Sequence, residues 1–440
     1  MLRPLLPLLT LLLAALPVAP ARQVAAPDRP PLSLLVVVLD DASWEELYGL
    51  ELPTIQGLLP AARRYTQFYS SSNCSPSRYQ LHFGRYPHRI HLGKAINVSA
   101  DEGAPTSDLS IAELLATRGY RTALIGKWHV NGAALPANLS ELPRIHGYQE
   151  WLAGSPGNIT SGGSHYNWQR FDNGVKSQES TYTTHAIGDA FIEWWSTTDG
   201  PKYASVCFMA PHEPHDYAPP DLAPGSTGGG GPGPGGLFDQ RNRYESQLIG
   251  IDTKLAQMLS VIDLSQTVVL LMSDNGTPPD VPPPGALLNG YKLSQWQGGI
   301  NVPLLVWGPG VAPGVDGSLV QIVDIPATLA ELAGATDYVG LADSIPFTAT
   351  LTGGGGSRPA AFVHRFSPNG AGLALTGHEW ALIRQDGWKL LAEGPQLSLG
   401  ATPQLFNLAL DPTEQSPRLD PRLTAELLAI RDRILGPDWP

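Results

Sequence analysis

The sequence predicts an α/β fold, in which a large and mostly parallel sheet is flanked by helices and followed by a smaller C-terminal α+β part. Two observations predict the sheet: the chain contains several continuous apolar runs of strand length, and segments with helical periodicity lie between them. The third observation is a change to short alternating runs after about residue 345, which predicts a smaller antiparallel sheet with one packed helix.

Five apolar runs are typical of strands that are buried on both faces of a parallel sheet. They are SLLVVVLDD (33–41), RTALIG (121–126), YASVCFMA (203–210), TVVLLMSDNG (267–276) and VPLLVWG (302–308). Helical patterns lie between these runs. They are SDLSIAELLATRG (107–119), with Ser107 or Asp108 as the predicted N-cap, THAIGDAFIEWWS (184–196) and YESQLIGIDTKLAQMLSVI (244–262).

The first residues are typical of a secretory signal peptide, since Arg3 precedes an apolar run and a small-x-small cleavage site follows at residues 19–21. We expect three segments: residues 1–21 as signal peptide, residues 22–344 as the larger domain, and residues 345–440 as the smaller subdomain. No later stretch reaches about 18 consecutive apolar residues, so no membrane span is predicted. The mature protein is expected to be secreted or lumenal, that is, extracellular, lysosomal or periplasmic.

Composition limits the partners of the chain and the means of its stabilisation. The formal net charge of -12 argues against nucleic acid and anionic membranes, which need a basic face. The two cysteines, Cys74 and Cys207, cannot staple a chain of 440 residues, which can bury an ordinary core. Cys207 lies inside a strand pattern and is expected to be a core thiol. Sequons at Asn97, Asn138 and Asn158 are expected glycan acceptors if the host is eukaryotic and they lie on surface loops.

Polar residues follow four of the predicted strands directly. They are Asp40-Asp41, Lys127-Trp128-His129, His212 and Asp274-Asn275. Each alone is compatible with a turn or a helix cap, but the carboxyl ends of parallel strands meet at one edge of the sheet, where sites are usually built. The three aspartates and Asn275 supply only hard oxygen donors, which suit Ca²⁺ or Mg²⁺ rather than zinc.

A cationic set accompanies these oxygen donors. It comprises Arg78, Lys127 and Lys292, together with His129 and His212. A dication and fixed cations in one cleft at the strand ends predict a site for a tetrahedral oxyanion, sulfate or phosphate, carried on an ester.

Six motifs, spread in order over nearly the whole mature chain, carry a resemblance. They are CSPSRYQLHFGR (74–85), GYRTALIGKWH (119–129), APHEPH (210–215), SDNG (273–276), Lys292 with WQGGINVP (296–303), and LFNLALDPTE (405–414). In these motifs the chain resembles the type I sulfatases of the alkaline-phosphatase-like superfamily. The resemblance implies that fold, with a large mixed sheet, and a catalytic role for the larger domain.

The resemblance also implies the chemistry at Cys74. A formylglycine-generating enzyme would convert Cys74 to Cα-formylglycine, whose aldehyde hydrates to a geminal diol. One hydroxyl attacks sulfur to give a sulfo-enzyme intermediate, and the second hydroxyl then expels sulfate as the aldehyde is restored. A serine at this position could be sulfated but could not release the sulfate by reverting to a carbonyl.

Further roles are implied position by position. The expected ligands of one metal ion, usually Ca²⁺, are Asp40, Asp41, Asp274, Asn275 and the modified Cys74. Arg78 would hold the diol, Lys127 and Lys292 would bind sulfate oxygens, and His129 would take a proton from the second hydroxyl. His212 would lie beside the scissile oxygen as a general acid. His215, in the same loop, is expected to contact substrate.

The chain departs from the family pattern in four places. Phe83 replaces a threonine of the modification signature, Gln297 a glutamate and Asn301 an arginine, and ADSIPF (342–347) stands where the family has a Gly-x-Ser-Leu stretch. The sequence therefore predicts a hydrolase of sulfate esters, with a sulfated carbohydrate or an aryl sulfate as the substrate. Two alternatives remain open: a phosphate or phosphonate ester hydrolase of the same superfamily, and an inactive relative that binds sulfated glycans.

Overall fold

A mixed sheet of ten strands forms the centre of the computed structural model. The structure describes residues 31–96, 103–130, 141–226, 237–335, 338–356, 358–394, 397, 399–437 and 439. The predicted signal peptide and two sequons, Asn97 and Asn138, lie outside these residues. Within the described residues, no helix is long and apolar enough to cross a membrane.

The strands of the main sheet lie in the order β10-β2-β9-β8-β1-β7-β3-β4-β5-β6. They are β1 (Ser33–Leu39), β2 (Arg63–Tyr69), β3 (Arg121–Lys127), β4 (Glu150–Ser155), β5 (Trp168–Asp172), β6 (Val175–Glu179), β7 (Lys202–Cys207), β8 (Thr267–Ser273), β9 (Leu304–Trp307) and β10 (Gly314–Gln321). The central strands β8, β1, β7, β3 and β4 are parallel, whereas β9 is antiparallel to both of its neighbours. The predicted large, mostly parallel sheet is thus confirmed.

The strand predicted at 302–308 exists as β9, but its direction differs from the parallel prediction. An apolar run reports burial on both faces, which an antiparallel strand in the middle of a sheet shares with a parallel one. Direction depends on the connection to the preceding strand, and the run itself does not encode it.

Helices cover both faces of the main sheet. They are α1 (Trp44–Gly49), α2 (Pro53–Leu58), α3 (Cys74–Phe83), α4 (Ile111–Thr117), α5 (Leu142–Ile145), α6 (Thr183–Thr197), α7 (Leu237–Leu259), α8 (Gln297–Ile300), α9 (Ile325–Leu332) and α10 (Thr348–Leu351). Alternate residues of β1 enter two cores: Val36 packs on the side of α3, α4 and α9, and Val37 on the side of α2, α6 and α7. The predicted caps, Ser107 or Asp108, are wrong by three or two residues: Ser110 is the N-cap of α4, because Glu113 completes a capping box with it.

The C-terminal residues form a second, antiparallel sheet, as predicted. Its strands are β11 (Ala360–Ser367), β12 (Gly377–Arg384), β13 (Trp388–Ala392) and β14 (Gln404–Asn407), in that order, and α11 (Pro421–Leu435) follows. One face packs on Leu423 and Leu427 of α11, and the other packs on Tyr69 and Ile300 of the main part. The domain boundary at 344/345 stays a prediction, since residues 32–440 form one compact unit.

Candidate active site

The acidic residues of the site follow two neighbouring parallel strands. β1 and β8 are paired up to their last residues, so Asp40 and Asp274 leave the sheet at the same edge. The backbone N–H of Asp41 donates to Asp274 Oδ1 (3.2 Å), and Asn275 Nδ2 donates to Asp41 Oδ1 (2.5 Å). All four side chains are buried. Two strand ends therefore bring the four predicted oxygen donors into one group.

Cys74 is the first residue of α3 and lies against this acidic group. Its Sγ lies within 4.8 Å of a carboxylate oxygen of Asp40, a carboxylate oxygen of Asp41 and a ring nitrogen of His212. Asn73 precedes it in an extended conformation (φ -154°), so the helix begins at Cys74. The first turn of a helix favours negative charge, because its N–H groups have no intrahelical partners. Residue 74 thus lies between possible metal ligands and an end of a helix that favours an anion.

Three cations form ion pairs with the three carboxylates. The pairs are Arg78 Nε with Asp274 (2.9 Å), Lys127 Nζ with Asp40 (2.5 Å) and Lys292 Nζ with Asp41 (2.6 Å). Arg78 Nη1 also donates to the carbonyl of Lys127 (3.0 Å), which links α3 to the end of β3. The side chain of Lys292 keeps 12% of its surface exposed, against 1% or less for Arg78 and Lys127. Solvent therefore reaches the site beside Lys292.

The pKa values of the three carboxyl groups differ, although each group has a cationic partner. Burial opposes the charge of Asp40, but Lys127 and Arg78 hold the pKa of Asp40 well below its usual value. Burial raises the pKa of Asp41, and burial together with the charge of Asp40 raises that of Asp274 to about 7. A further positive charge among these oxygens would lower both raised pKa values.

The residues present fit a divalent oxygen-liganded cation such as Ca²⁺. Asp40 Oδ1 and Asn275 Oδ1 are buried and accept no hydrogen bond. Buried acceptors of this kind need a partner, and a hard dication supplies one. Carboxylate oxygens of Asp40 and Asp41 lie close enough to the Cys74 Sγ to share one ion. His212 also lies within this group. The sequence did not predict His212 as a metal ligand.

His129 and His212 differ in the ring nitrogen that is free. His129 Nε2 lies 3.0 Å from the carbonyl of Ile96, so this nitrogen carries the proton and Nδ1 remains a buried acceptor. His212 Nδ1 lies 2.7 Å from the carbonyl of Glu213, so its Nε2 is the acceptor and lies 3.8 Å from Asp41. Burial, with the nearby lysines, lowers the pKa of both rings well below the usual value. Both histidines are therefore neutral at pH 7, and each keeps one ring nitrogen that can accept a hydrogen bond.

The unmodified thiol of Cys74 is not an activated nucleophile. Burial raises its pKa to about 12, although Lys292 and Lys127 act in the opposite direction. A thiol with such a pKa is protonated at pH 7, and the thiolate is the reactive form. Cys74 and Cys207 are both free, so no disulfide explains their presence.

Backbone strain is concentrated at this site. Asp41 (φ 78°), His129 (φ 59°) and Leu293 (φ 74°) occupy the left-handed region, which costs a non-glycine residue roughly 1–3 kcal/mol. Gly276 follows Asn275, and a Cβ added to Gly276 would lie 1.9 Å from the carbonyl oxygen of Gly298. The SDNG motif thus needs its glycine because two backbone segments meet there.

His215 lies apart from the paired carboxylates. Its Nε2 is 3.6 Å from Asp280, and its ring packs edge-on against Tyr244 (5.7 Å between centroids). The predicted contact of His215 with substrate stays a prediction. Tyr244 itself was not predicted, yet its hydroxyl donates to the carbonyl of Asp41 (2.8 Å).

His165 is a second residue that the sequence did not indicate. It is fully buried, and its Nε2 lies 3.0 Å from the carbonyl of His212 while its Nδ1 lies 2.6 Å from Thr183 Oγ1. It supports the loop that carries His212. No motif surrounds His165 in the sequence, and a histidine with only structural neighbours leaves no signal in a single chain.

The fold and the site together define a class of protein. It is an α/β protein with a candidate metal-ion and oxyanion site, built from oxygen donors and fixed cations at the carboxyl edge of a mixed sheet. The chain belongs to the sulfatase family, because the family model described as Sulfatase matches residues 33–335.

Individual relatives are similar over part of their length. Human arylsulfatase A is 27% identical over 353 residues, which are 70% of this chain and 65% of that protein. The uncharacterized sulfatase YdeN of Escherichia coli K12 is 26% identical over 308 residues, which are 64% of this chain and 53% of that protein. The alignments thus span about half to two thirds of the curated relatives.

Solved structures share the fold over most of the chain. The crystal structure of Ps i-CgsB in complex with k-i-k-neocarrahexaose has a TM-score of 0.76 at 21% identity, and covers 93% of this chain and 94% of that one. The phosphonate monoester hydrolase of Agrobacterium radiobacter has a TM-score of 0.64 at 18% identity, and covers 92% and 95%. These likenesses establish the alkaline-phosphatase-like fold.

Proposed function

We propose that this protein is a sulfuric ester hydrolase, acting on a sulfated carbohydrate or an aryl sulfate. The convergence of Arg78, Lys127 and Lys292 with the oxygen donors around Cys74 supports the proposal. Three carboxylates and three cations balance, so a bound Ca²⁺ would leave an excess of positive charge for a sulfate ester anion. The signal-like N-terminus supports export as the route to its place of action.

The proposed nucleophile is formylglycine formed from Cys74. Its hydrated aldehyde supplies two hydroxyls on one carbon, one to attack sulfur and one to release the sulfate. Arg78 is held by Asp274 and by the carbonyl of Lys127, so its guanidinium is fixed beside residue 74. A fixed donor of this kind orients the attacking group without reorganisation during the reaction.

The lysines would bind the sulfate group, and the histidines would transfer protons. Lys127 and Lys292 would exchange part of their contact with Asp40 and Asp41 for the sulfate oxygens when the cation neutralises those carboxylates. His129 Nδ1 is a free acceptor within the buried site and suits removal of a proton from residue 74. His212 Nε2 faces the same site but carries no proton in the free protein. It would act as the general acid at the leaving-group oxygen after it has taken up a proton from solvent, which the negative charge of the bound ester favours.

Mass spectrometry of the tryptic peptide that spans residues 65–78 tests the nucleophile. Protein from its native source should yield a peptide in which the CH₂SH group of residue 74 is replaced by CHO. An unmodified thiol throughout an active preparation would overturn the proposed mechanism. Phe83→Thr, which restores the usual letter of the signature, is the matched variant and should give at least the same conversion.

Turnover of matched aryl esters tests the reaction class. We expect the aryl sulfate to be hydrolysed with a higher kcat/KM than the corresponding phosphate or phosphonate ester. Preference for a phosphorus ester would support the phosphohydrolase alternative that the shared fold allows. Binding of sulfated glycan by fully modified protein without turnover of any ester would support the inactive relative.

A further inference from the structure

A cavity of about 590 Å³ lies apart from the residues placed in the active site, none of which lines it. It opens between α1, β2 and the turns of the C-terminal sheet, and we call it the aromatic cavity. Its volume falls within the range of small-molecule sites. Two of the chain segments that line the cavity are close in sequence to active-site residues. Trp44 follows Asp41 by three residues, and Gln297 follows Lys292 by five.

An aromatic platform forms one wall of the aromatic cavity. Trp44 and Tyr48 lie one turn apart on α1, and their rings stack with centroids 5.3 Å apart and an interplanar angle of 13°. Trp44 covers one face of the Tyr48 ring, and Tyr48 keeps 54% of its surface exposed. A supported and exposed aromatic face of this kind suits the apolar face of a sugar ring.

Arg64 provides an uncompensated positive charge in the aromatic cavity. Its Nε is buried without a hydrogen-bond partner, and none of the ion pairs among the described residues includes it. Asp386, the other charged lining residue, is already paired with Arg384 at 2.6 Å. A partly buried guanidinium without a counterion favours an anionic ligand, and its planar donors match a sulfate or a carboxylate.

Asn301 adds an acceptor to the same cavity. Its Nδ2 donates to the carbonyl of Thr66 (3.1 Å), whereas its Oδ1 is buried without a partner. Thr66 lies two residues after Arg64, on the same face of β2. A free donor, a free acceptor and an aromatic face therefore meet in one cavity, and a sugar hydroxyl would satisfy the acceptor.

We propose that the aromatic cavity binds an acidic sugar ring, which stacks on Tyr48, places its sulfate or carboxylate on Arg64 and donates a hydroxyl to Asn301 Oδ1. The inference deepens the proposed function and rests on it in one respect: the ring would belong to the same sulfated polymer whose ester is cleaved at residue 74. The aromatic cavity would then strengthen the binding of a polymeric substrate and would not change the hydrolysis of small esters.

Fluorine NMR of the full chain labelled with 3-fluorotyrosine reports on this site directly. The Tyr48 resonance is assigned as the signal that is lost in Tyr48→Phe, and Cys74→Ala in the labelled chain prevents consumption of the probe. A chondroitin 6-sulfate tetrasaccharide at millimolar concentration should shift the Tyr48 resonance, and maltotetraose should not. Arg64→Gln should raise the Kd by about tenfold, the loss of one charge-assisted contact, and Arg422→Gln, an exposed arginine on α11, should leave it unchanged.

The chemically desulfated tetrasaccharide, which keeps its carboxylates, identifies the anion. Weaker binding than that of the sulfated probe assigns sulfate to Arg64, and equal binding assigns the carboxylate. An unmoved Tyr48 resonance, an equal shift with maltotetraose, or an unchanged Kd in Arg64→Gln would each overturn the proposal.

Kinetics separate this inference from the proposed function. In the chain with native Cys74, Arg64→Gln should raise KM for a sulfated tetrasaccharide and leave kcat/KM for an aryl sulfate unchanged. Absence of all ester hydrolysis would refute the proposed function and leave the NMR result for the aromatic cavity standing. A parallel loss on both substrates would refute a role in holding the polymer.

Discussion

Arg78 ties the two acidic strand ends of the active site together. Its side chain is fully buried and contacts Asp274, Asp40 and the carbonyl of Lys127. Removing one partner of a buried ion pair leaves an uncompensated charge, which costs far more than an exposed pair contributes. At the scale of single residues, the site is therefore also a stability element of the protein.

Arg78→Met should lower the free energy of unfolding by roughly 3–5 kcal/mol, because Asp274 and Asp40 would stay buried with less compensation. Denaturant unfolding followed by circular dichroism measures this change. The matched control is Arg144→Met, whose pair with Glu141 is about one third exposed (38% and 35%), and which should cost at most about 1 kcal/mol. Similar losses in the two variants would contradict the role assigned to Arg78.

Addition of Ca²⁺ should raise the Tm of the purified chain, and chelation should reverse the effect. Binding to the folded state alone stabilises by about 2.7 kcal/mol when the ion is at 100 times its Kd. Asn275→Leu removes the unpartnered Oδ1 and should abolish most of the shift, whereas Asn167→Leu, at an exposed position, should not. If Ca²⁺ does not change the Tm of the native chain, this result would argue against the candidate metal site.

At the scale of elements, the C-terminal sheet holds the segment that follows Lys292. Lys389 on β13 donates to the carbonyl of Gln295 (2.7 Å) and pairs with Glu414 (2.6 Å), with both side chains fully buried. Glu414 in turn accepts the backbone N–H of Gln297 (2.7 Å). The segment 295–297 is thus fixed from the second sheet, and the position of Lys292 depends on it.

Lys389→Met should lower kcat/KM for an aryl sulfate by roughly ten- to a hundred-fold, because a small displacement of Lys292 misaligns the sulfate. Lys254→Met is the matched control: Lys254 on α7 is also buried (2% exposed), and it pairs with Asp189 on α6 rather than with a residue of the site. Both variants should lose stability, and only Lys389→Met should lose turnover per folded molecule. Equal kcat/KM values in the two folded variants would contradict positioning by the C-terminal sheet.

The sequence predicted the elements whose residues carry a strong local pattern. The buried strands β1, β3, β7 and β8 have continuous apolar runs, and their polar ends identified the site. β2 was not predicted, because RRYTQFY has the mixed polarity of a strand near the sheet edge. The contacts of Lys389 and His165 could not be predicted either, because both depend on tertiary neighbours that no spacing in the sequence encodes.

At the scale of the whole molecule, a histidine cluster joins the main part to the C-terminal sheet. His88 lies in the helical turn at 87–90, while His364 and His378 lie on β11 and β12. His364 packs against both of the others (6.0 and 4.7 Å between centroids) and against Trp439 (4.7 Å). Burial holds the pKa of His88 and of His378 near 4, with Arg89 and Arg431 acting in the same direction and Asp343 partly opposing at His88.

This cluster should make the protein less stable as pH falls from about 6.5 toward 4. The pKa of His88 and of His378 is lower in the folded protein (about 4) than the ordinary value of 6.5, so the unfolded chain binds protons first and the stability present above pH 6.5 is lost below it. Between pH 7 and pH 5 the loss should be about 2 kcal/mol for each histidine. The double variant His88→Phe/His378→Phe removes both titrations, and unfolding free energies between pH 7 and 5 should then vary less with pH. Asn167→Leu, an exposed substitution that removes no titratable group, should retain the native slope. A double variant with that same slope would contradict the titration assigned to His88 and His378.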